Sequence, residues 1–71
     1  MNARTEAVLD CIKSYWRLWG FSPSYRDIMR GLNISSPTVV AYQLALLERA
    51  GLIKTTPRVS RSIVVQEGED A

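Results

Sequence analysis

The sequence predicts a mainly α fold closed by a small β-hairpin, an α+β arrangement of three helices, and three observations predict it. Apolar residues recur at three- and four-residue spacing in three successive stretches. Each stretch opens at a residue able to cap a helix and closes at Gly20, Asn33 or Gly51, residue types that suit the turn past a helix end. From Leu52 onward the period changes to alternation, the pattern of strands with one buried face.

The first helix starts at Asn2 or Thr5, either of which can cap it. Its stripe of Val8, Ile12, Tyr15, Trp16 and Trp19, with Leu9 on the flank, is expected in the core, and Cys11 as a small buried apolar residue. Leu18 lies off that stripe and with Trp19 forms a candidate contact patch. After the link Phe21-Ser22-Pro23, Ser24 and Asp27 stand three apart as a capping box, with Asp in place of Glu or Gln. The second helix then runs over 25–32 with Ile28 and Leu32 inward, and Asn33 turns the chain because it tolerates the left-handed conformation. Ile34 packs, Ser36 caps the third helix, and Pro37 takes the first position, where no amide partner is needed.

In that third helix Val40, Leu44 and Leu47 form the buried face. At roughly 100° per residue, Thr38, Val39, Tyr42, Ala45 and Arg49 fall opposite, with Ala41 at the edge. Two strands follow over 52–56 and 62–65, joined by a hairpin loop over 57–61 with a basic tip. Helix, helix, turn, helix and hairpin make a three-helix winged helix-turn-helix. It occupies residues 1–66 as a single domain, and residues 67–71 are expected as an acidic disordered tail.

Seventy-one residues hold one small core, worth about 3–5 kcal/mol. A single cysteine rules out an internal disulfide, and without histidine a zinc site lacks ligands, so neither metal nor cofactor is expected. No apolar run approaches the ~20 residues of a membrane span, and no secretory signal pattern is present. The expectation is a cytoplasmic protein with no membrane partner. Paired carboxylates at useful positions and a phosphate-cradling glycine loop are also missing, so no enzyme is expected. The net charge at pH 7 is +2, but Glu67, Glu69 and Asp70 hold three of the seven acids. Without them nine basic residues face four acidic ones, a balance of +5 that fits a nucleic acid or another anionic partner.

An outer helix face of Thr, Val, Ala and Tyr is built for contact; Glu and Lys would serve if solvation were its only task. Tyr42 can stack or hydrogen-bond at a DNA surface, or lean on its neighbours. Arg26, Arg58 and Arg61 sit at a helix start and a wing tip, where a groove-docked domain meets phosphates, although solvated charge is the competing role. Lys54 and Arg49 stand between those roles, and Ser24 and Ser36 already serve as caps.

The chain resembles the N-terminal DNA-binding domain of the LexA repressors over nearly its whole length. The residues that carry the resemblance are Val8, Asp10 and Ile12, then Gly20, Pro23, Ser24 and Arg26 ahead of Ile28 and Leu32. They continue as Ser36-Pro37, Val40, Leu44, Leu47-Glu48 and Gly51-Leu52-Ile53, and end with Ser60-Arg61 and Ile63. The resemblance implies a third helix in the major groove, with Ser36, Thr38, Val39, Ala41 and Tyr42 at base edges. It implies phosphate contacts from Ser24, Tyr25 and Arg26 at the second helix start and from Lys54, Arg58, Ser60 and Arg61 in the wing, with Arg49 added for its charge. Two departures matter. The family continues into a C-terminal domain that dimerises and cleaves its own chain with a Ser–Lys pair, and no residues here correspond to it. Family readers are usually polar, whereas Val39 and Ala41 are apolar and can meet a thymine methyl but make no bidentate contact.

The function expected is therefore sequence-specific binding of double-stranded DNA by a transcriptional regulator or repressor, as a homodimer or with a larger partner protein. The alternative is a winged helix used for protein–protein interaction, carried by Val39, Ala41, Ala45, Leu46, Leu18 and Trp19.

Overall fold

The structure, a computed structural model, describes residues 2–66 of the chain. Helix α1 spans Ala3–Trp19, α2 Tyr25–Leu32 and α3 Pro37–Arg49, and strands β1 (Ile53–Lys54) and β2 (Val64–Val65) follow. The strands pair antiparallel, Ile53 opposite Val65 and Lys54 opposite Val64. This is the winged helix-turn-helix that the alternation of periods predicts. The acidic tail expected over 67–71 lies outside the described residues.

Each helix starts and stops for a local reason. Asn2 caps α1 by accepting from the Thr5 amide at 2.8 Å, which decides between the two candidate caps. Ser24 and Asp27 close the capping box of α2 from both sides, at 3.1 and 3.0 Å. Ser36 accepts from the Val39 amide and Pro37 takes the first position of α3. Gly20 and Asn33 end α1 and α2 in the left-handed region (φ 79° and 58°), and Gly51 takes up the same conformation after α3 (φ 79°).

The core joins Val8 and Ile12 of α1, Ile28 of α2, and Val40, Leu44 and Leu47 of α3 to Ile53 and Ile63 at the base of the wing. Trp16, Leu32 and Ile34 pack half-buried against it. Trp19, expected in the core, is instead 61% exposed. The physical reason is length. Seventeen residues make α1 about 25 Å long against about 12 Å for the eight of α2, which is too short to cover its whole length, and of the last turn only Trp16 packs against the core. Leu18 is exposed on the same turn, and Cys11 is half-buried rather than buried.

The strands are shorter than the expected 52–56 and 62–65. Side chains occupy the backbone where the ladder would have continued. Ile63 donates its amide to Ser22 Oγ at 2.9 Å, and its carbonyl accepts from Trp16 Nε1 at 2.9 Å. The wing is thus hung on α1 and on the α1–α2 link more than on its own ladder.

Candidate nucleic-acid interface

The third helix presents one exposed line, Thr38, Tyr42, Ala45 and Arg49, at spacings of four, three and four. Tyr42 is 62% exposed, so it does not lean into the core. Val39 and Ala41 flank the line half-buried, and Ser36 is half-buried at the helix start with its hydroxyl taken up by the cap. The five residues expected at base edges therefore share one end and one side of α3.

On the remaining side of the same helix lies Gln43, which the sequence reading does not single out. It is 6% exposed, and the Thr5 hydroxyl is shared between its side-chain amide and Asn2 Oδ1. A buried carboxamide left without a partner would cost about 1–3 kcal/mol, so the Thr5–Gln43 contact helps hold α3 against α1. The signal is present in the spacing: Gln43 stands three residues after Val40 and four before Leu47, on the apolar stripe.

The start of α2 and the wing loop face each other across a groove lined by Ser24, Tyr25, Arg26, Arg30, Arg58 and Ser60, among others. Arg26 and Arg58 are exposed and enter no ion pair among the described residues. Arg30, also missed by the sequence reading, follows Arg26 by one turn and reaches Asp27 only at 3.7 Å. Its spacing of four from Arg26 puts both on one face of α2. Lys54 is exposed on β1, and Arg49 is exposed in the last turn of α3.

Arg61 is held differently. Its guanidinium donates to Tyr15 Oη at 3.0 Å and to the Ser22 carbonyl at 3.1 Å, and it lies 2.9 Å from Asp27 Oδ2. It also sits over the Tyr15 and Phe21 rings, 5.9 and 5.3 Å from their centroids. The Ser24 amide, first among the causes, holds the Asp27 carboxyl down to about 2, helped by the Ser24 and Tyr15 hydroxyls and by the charge of Arg61. Burial, with the Asp27 carboxylate second, pushes the Cys11 thiol up, away from reactivity.

The wing loop closes on itself. Ser62 Oγ accepts from the Thr56 amide at 3.0 Å and reaches the Val59 carbonyl at 2.8 Å. Within it Thr56-Pro57-Arg58-Val59 forms a tight turn, the Val59 amide donating to the Thr56 carbonyl at 3.2 Å. Arg58 sits in the left-handed region there (φ 65°), where Gly or Asn is the usual occupant.

Residues 1–62 match the family model described as the LexA DNA binding domain. The chain is 41% identical over 69 residues to the LexA repressor of Herpetosiphon aurantiacus, covering 97% of this chain and 32% of that protein. It is 44% identical to the LexA repressor of Roseiflexus sp., over 93% of this chain and 30% of the relative. With that of Petrotoga mobilis it shares 44% identity, over 89% and 30% respectively. The chain thus spans about a third of the length of the curated relatives it matches.

Proposed function

The chain belongs to the LexA DNA-binding domain family, and from that premise we propose that it binds double-stranded DNA sequence-specifically, as the DNA-binding part of a cytoplasmic transcriptional repressor. In this reading α3 enters the major groove with Ser36, Thr38, Val39, Ala41 and Tyr42 toward base edges. Ser24, Tyr25, Arg26 and Arg30 at α2 meet phosphates on one flank, with Lys54, Arg58 and Ser60 of the wing on the other and Arg49 at the far end of α3.

One observation supports the reading above the rest: α3 keeps Thr38, Tyr42, Ala45 and Arg49 exposed, while the start of α2 and the wing line one groove whose arginines 26 and 58 have no ion pair among the described residues. Phosphates supply the missing anions, and a helix face of mixed small residues fits the floor of a major groove. A single domain whose readers carry only hydroxyl and methyl groups has modest specificity. Two copies on half-sites about one helical turn apart, ~34–36 Å, remedy that, the dimer forming on DNA or through a partner.

The alternative, a protein-docking winged helix, draws on the exposed Leu18, Trp19 and Phe21. Titration of mixed-sequence duplex at low and at moderate salt separates the two. The DNA reading requires binding that weakens steeply with salt, and selection from random duplexes should then converge on a consensus. A folded protein that binds no duplex at low salt would end it.

A further inference from the structure

DNA binding through α3, the reading on which this inference rests, leaves open which bases α3 selects. Residues 37–44, its first two turns, hold no Arg, Lys or Asn, and Gln43 is their only carboxamide. Gln43 is also the only side chain there able to make the paired contact with adenine, and it is buried on Thr5. Arg49, the next long donor, lies seven residues beyond Tyr42, about 10 Å farther along the axis. Hydrogen-bond readout is therefore left to the hydroxyls of Ser36, Thr38 and Tyr42, and Ser36 already accepts from the Val39 amide. A hydroxyl can both donate and accept, so it discriminates bases poorly.

What this face offers in quantity is methyl groups, from Val39, Ala41, Ala45 and the γ-carbon of Thr38. The apolar group that a DNA base pair presents in the major groove is the thymine 5-methyl. We infer that α3 selects its site chiefly by packing thymine 5-methyl groups against Val39, Ala41 and Thr38. Cytosine methylated at C5 carries the same group in the same groove.

The test uses the tightest duplex recovered by selection with the full chain, made once with thymine and once with uracil. Uracil keeps every hydrogen-bonding group and removes only the methyl. Affinity should fall about fourfold for each contacted methyl lost, the value of burying one such group. The salt slope should stay unchanged, because no phosphate contact is altered. Val39→Thr, which exchanges a methyl for a hydroxyl at nearly constant shape, should shrink the thymine-over-uracil ratio while the melting temperature holds. A guanine·5-methylcytosine pair at a uracil position, compared with the same pair unmethylated so that only the methyl differs, distinguishes the sources. Recovery marks the methyl itself as the recognised group, and no recovery confines recognition to thymine. A uracil duplex bound as tightly as its thymine counterpart, with sequence preference intact, overturns the inference and leaves DNA binding standing. Absence of binding to any duplex at low salt removes both.

Discussion

The guanidinium of Arg61, in the wing, lies 2.9 Å from the carboxylate of Asp27 at the start of α2. The same carboxylate oxygen accepts from the Ser24 amide, so one acid both closes a helix cap and anchors the wing. Arg61 adds donors to Tyr15 of α1 and to Ser22 of the link, and four parts of the chain meet on one side chain. An isolated surface ion pair stabilises little. Here the flat guanidinium, lying over the Tyr15 and Phe21 rings, ties the wing to α1, to the start of α2 and to the link between them.

Nη1 alone makes the three polar contacts, so Arg61→Lys keeps the charge but loses the flat guanidinium that lies over the Tyr15 and Phe21 rings. It should lower the melting temperature measurably. The slope of log affinity against log salt should hold, because Asp27 already neutralises this cation. Should Arg61→Lys melt like the wild type and Arg61→Ala lower the salt slope by about one unit, Arg61 is a phosphate ligand after all.

Acid should act through the same contact. The Asp27 carboxyl is held at about 2 against an ordinary 3.8, first by the Ser24 amide. A carboxyl depressed in the folded state stabilises it fully above the unfolded pKa and loses that effect as pH falls through the folded one. The loss therefore runs from about pH 4 to about pH 2. Urea midpoints measured across that range should fall more steeply for the wild type than for Asp27→Asn. Parallel curves for the two proteins would refute the assignment.

How much of the fold and of the interface is legible in the sequence depends on the range of each interaction. Ser24 with Asp27, Ser36 with Pro37, and Asn33 act within one helical turn, and their motifs place α2 and α3 correctly. Arg58 and Arg61 read alike as basic loop residues, because what separates them is Tyr15 and Ser22, 46 and 39 residues away from Arg61. Alternation overstates strand length for a similar reason: Ser22 and Trp16 capture the backbone of Ile63 from outside the hairpin. Trp19 fits the apolar period of α1, but periodicity does not report that the partner helix is shorter. Of the interface, the outward side of α3 is legible from spacing alone, while the groove between α2 and the wing needs the fold.

Neighbouring residues on α3 should behave as opposites. Gln43→Ala removes the partner of Thr5 inside the core and should cost about 1–3 kcal/mol without changing which duplexes are preferred. Tyr42→Ala, on the exposed line, should leave stability nearly unchanged and alter the preference among sequences. Thermal melts paired with a duplex selection on each variant test this. A Tyr42→Ala protein with lost stability and unaltered preference would place that ring in the fold rather than at the interface.

Arg58 occupies a backbone position that suits another residue. Pro57 precedes it and the Val59 amide closes the turn, so its φ of 65° is the left-handed third position of a tight turn. A non-glycine side chain there carries strain of about 1 kcal/mol, and Asn tolerates it better than Arg. Arg58 gains no ion pair among the described residues in return. Backbone strain held without local compensation points to function, here a charge carried to the tip of the wing. Arg58→Asn should therefore melt at the same temperature as the wild type or a few degrees higher. It should weaken binding to all duplexes alike and reduce the salt slope by about one unit. Arg58→Gly should show the same loss of binding with a smaller gain in stability, because glycine also frees the unfolded chain. A variant that melts lower and binds as before would mean that the turn needs Arg58 for folding, and the phosphate contact would have to be withdrawn.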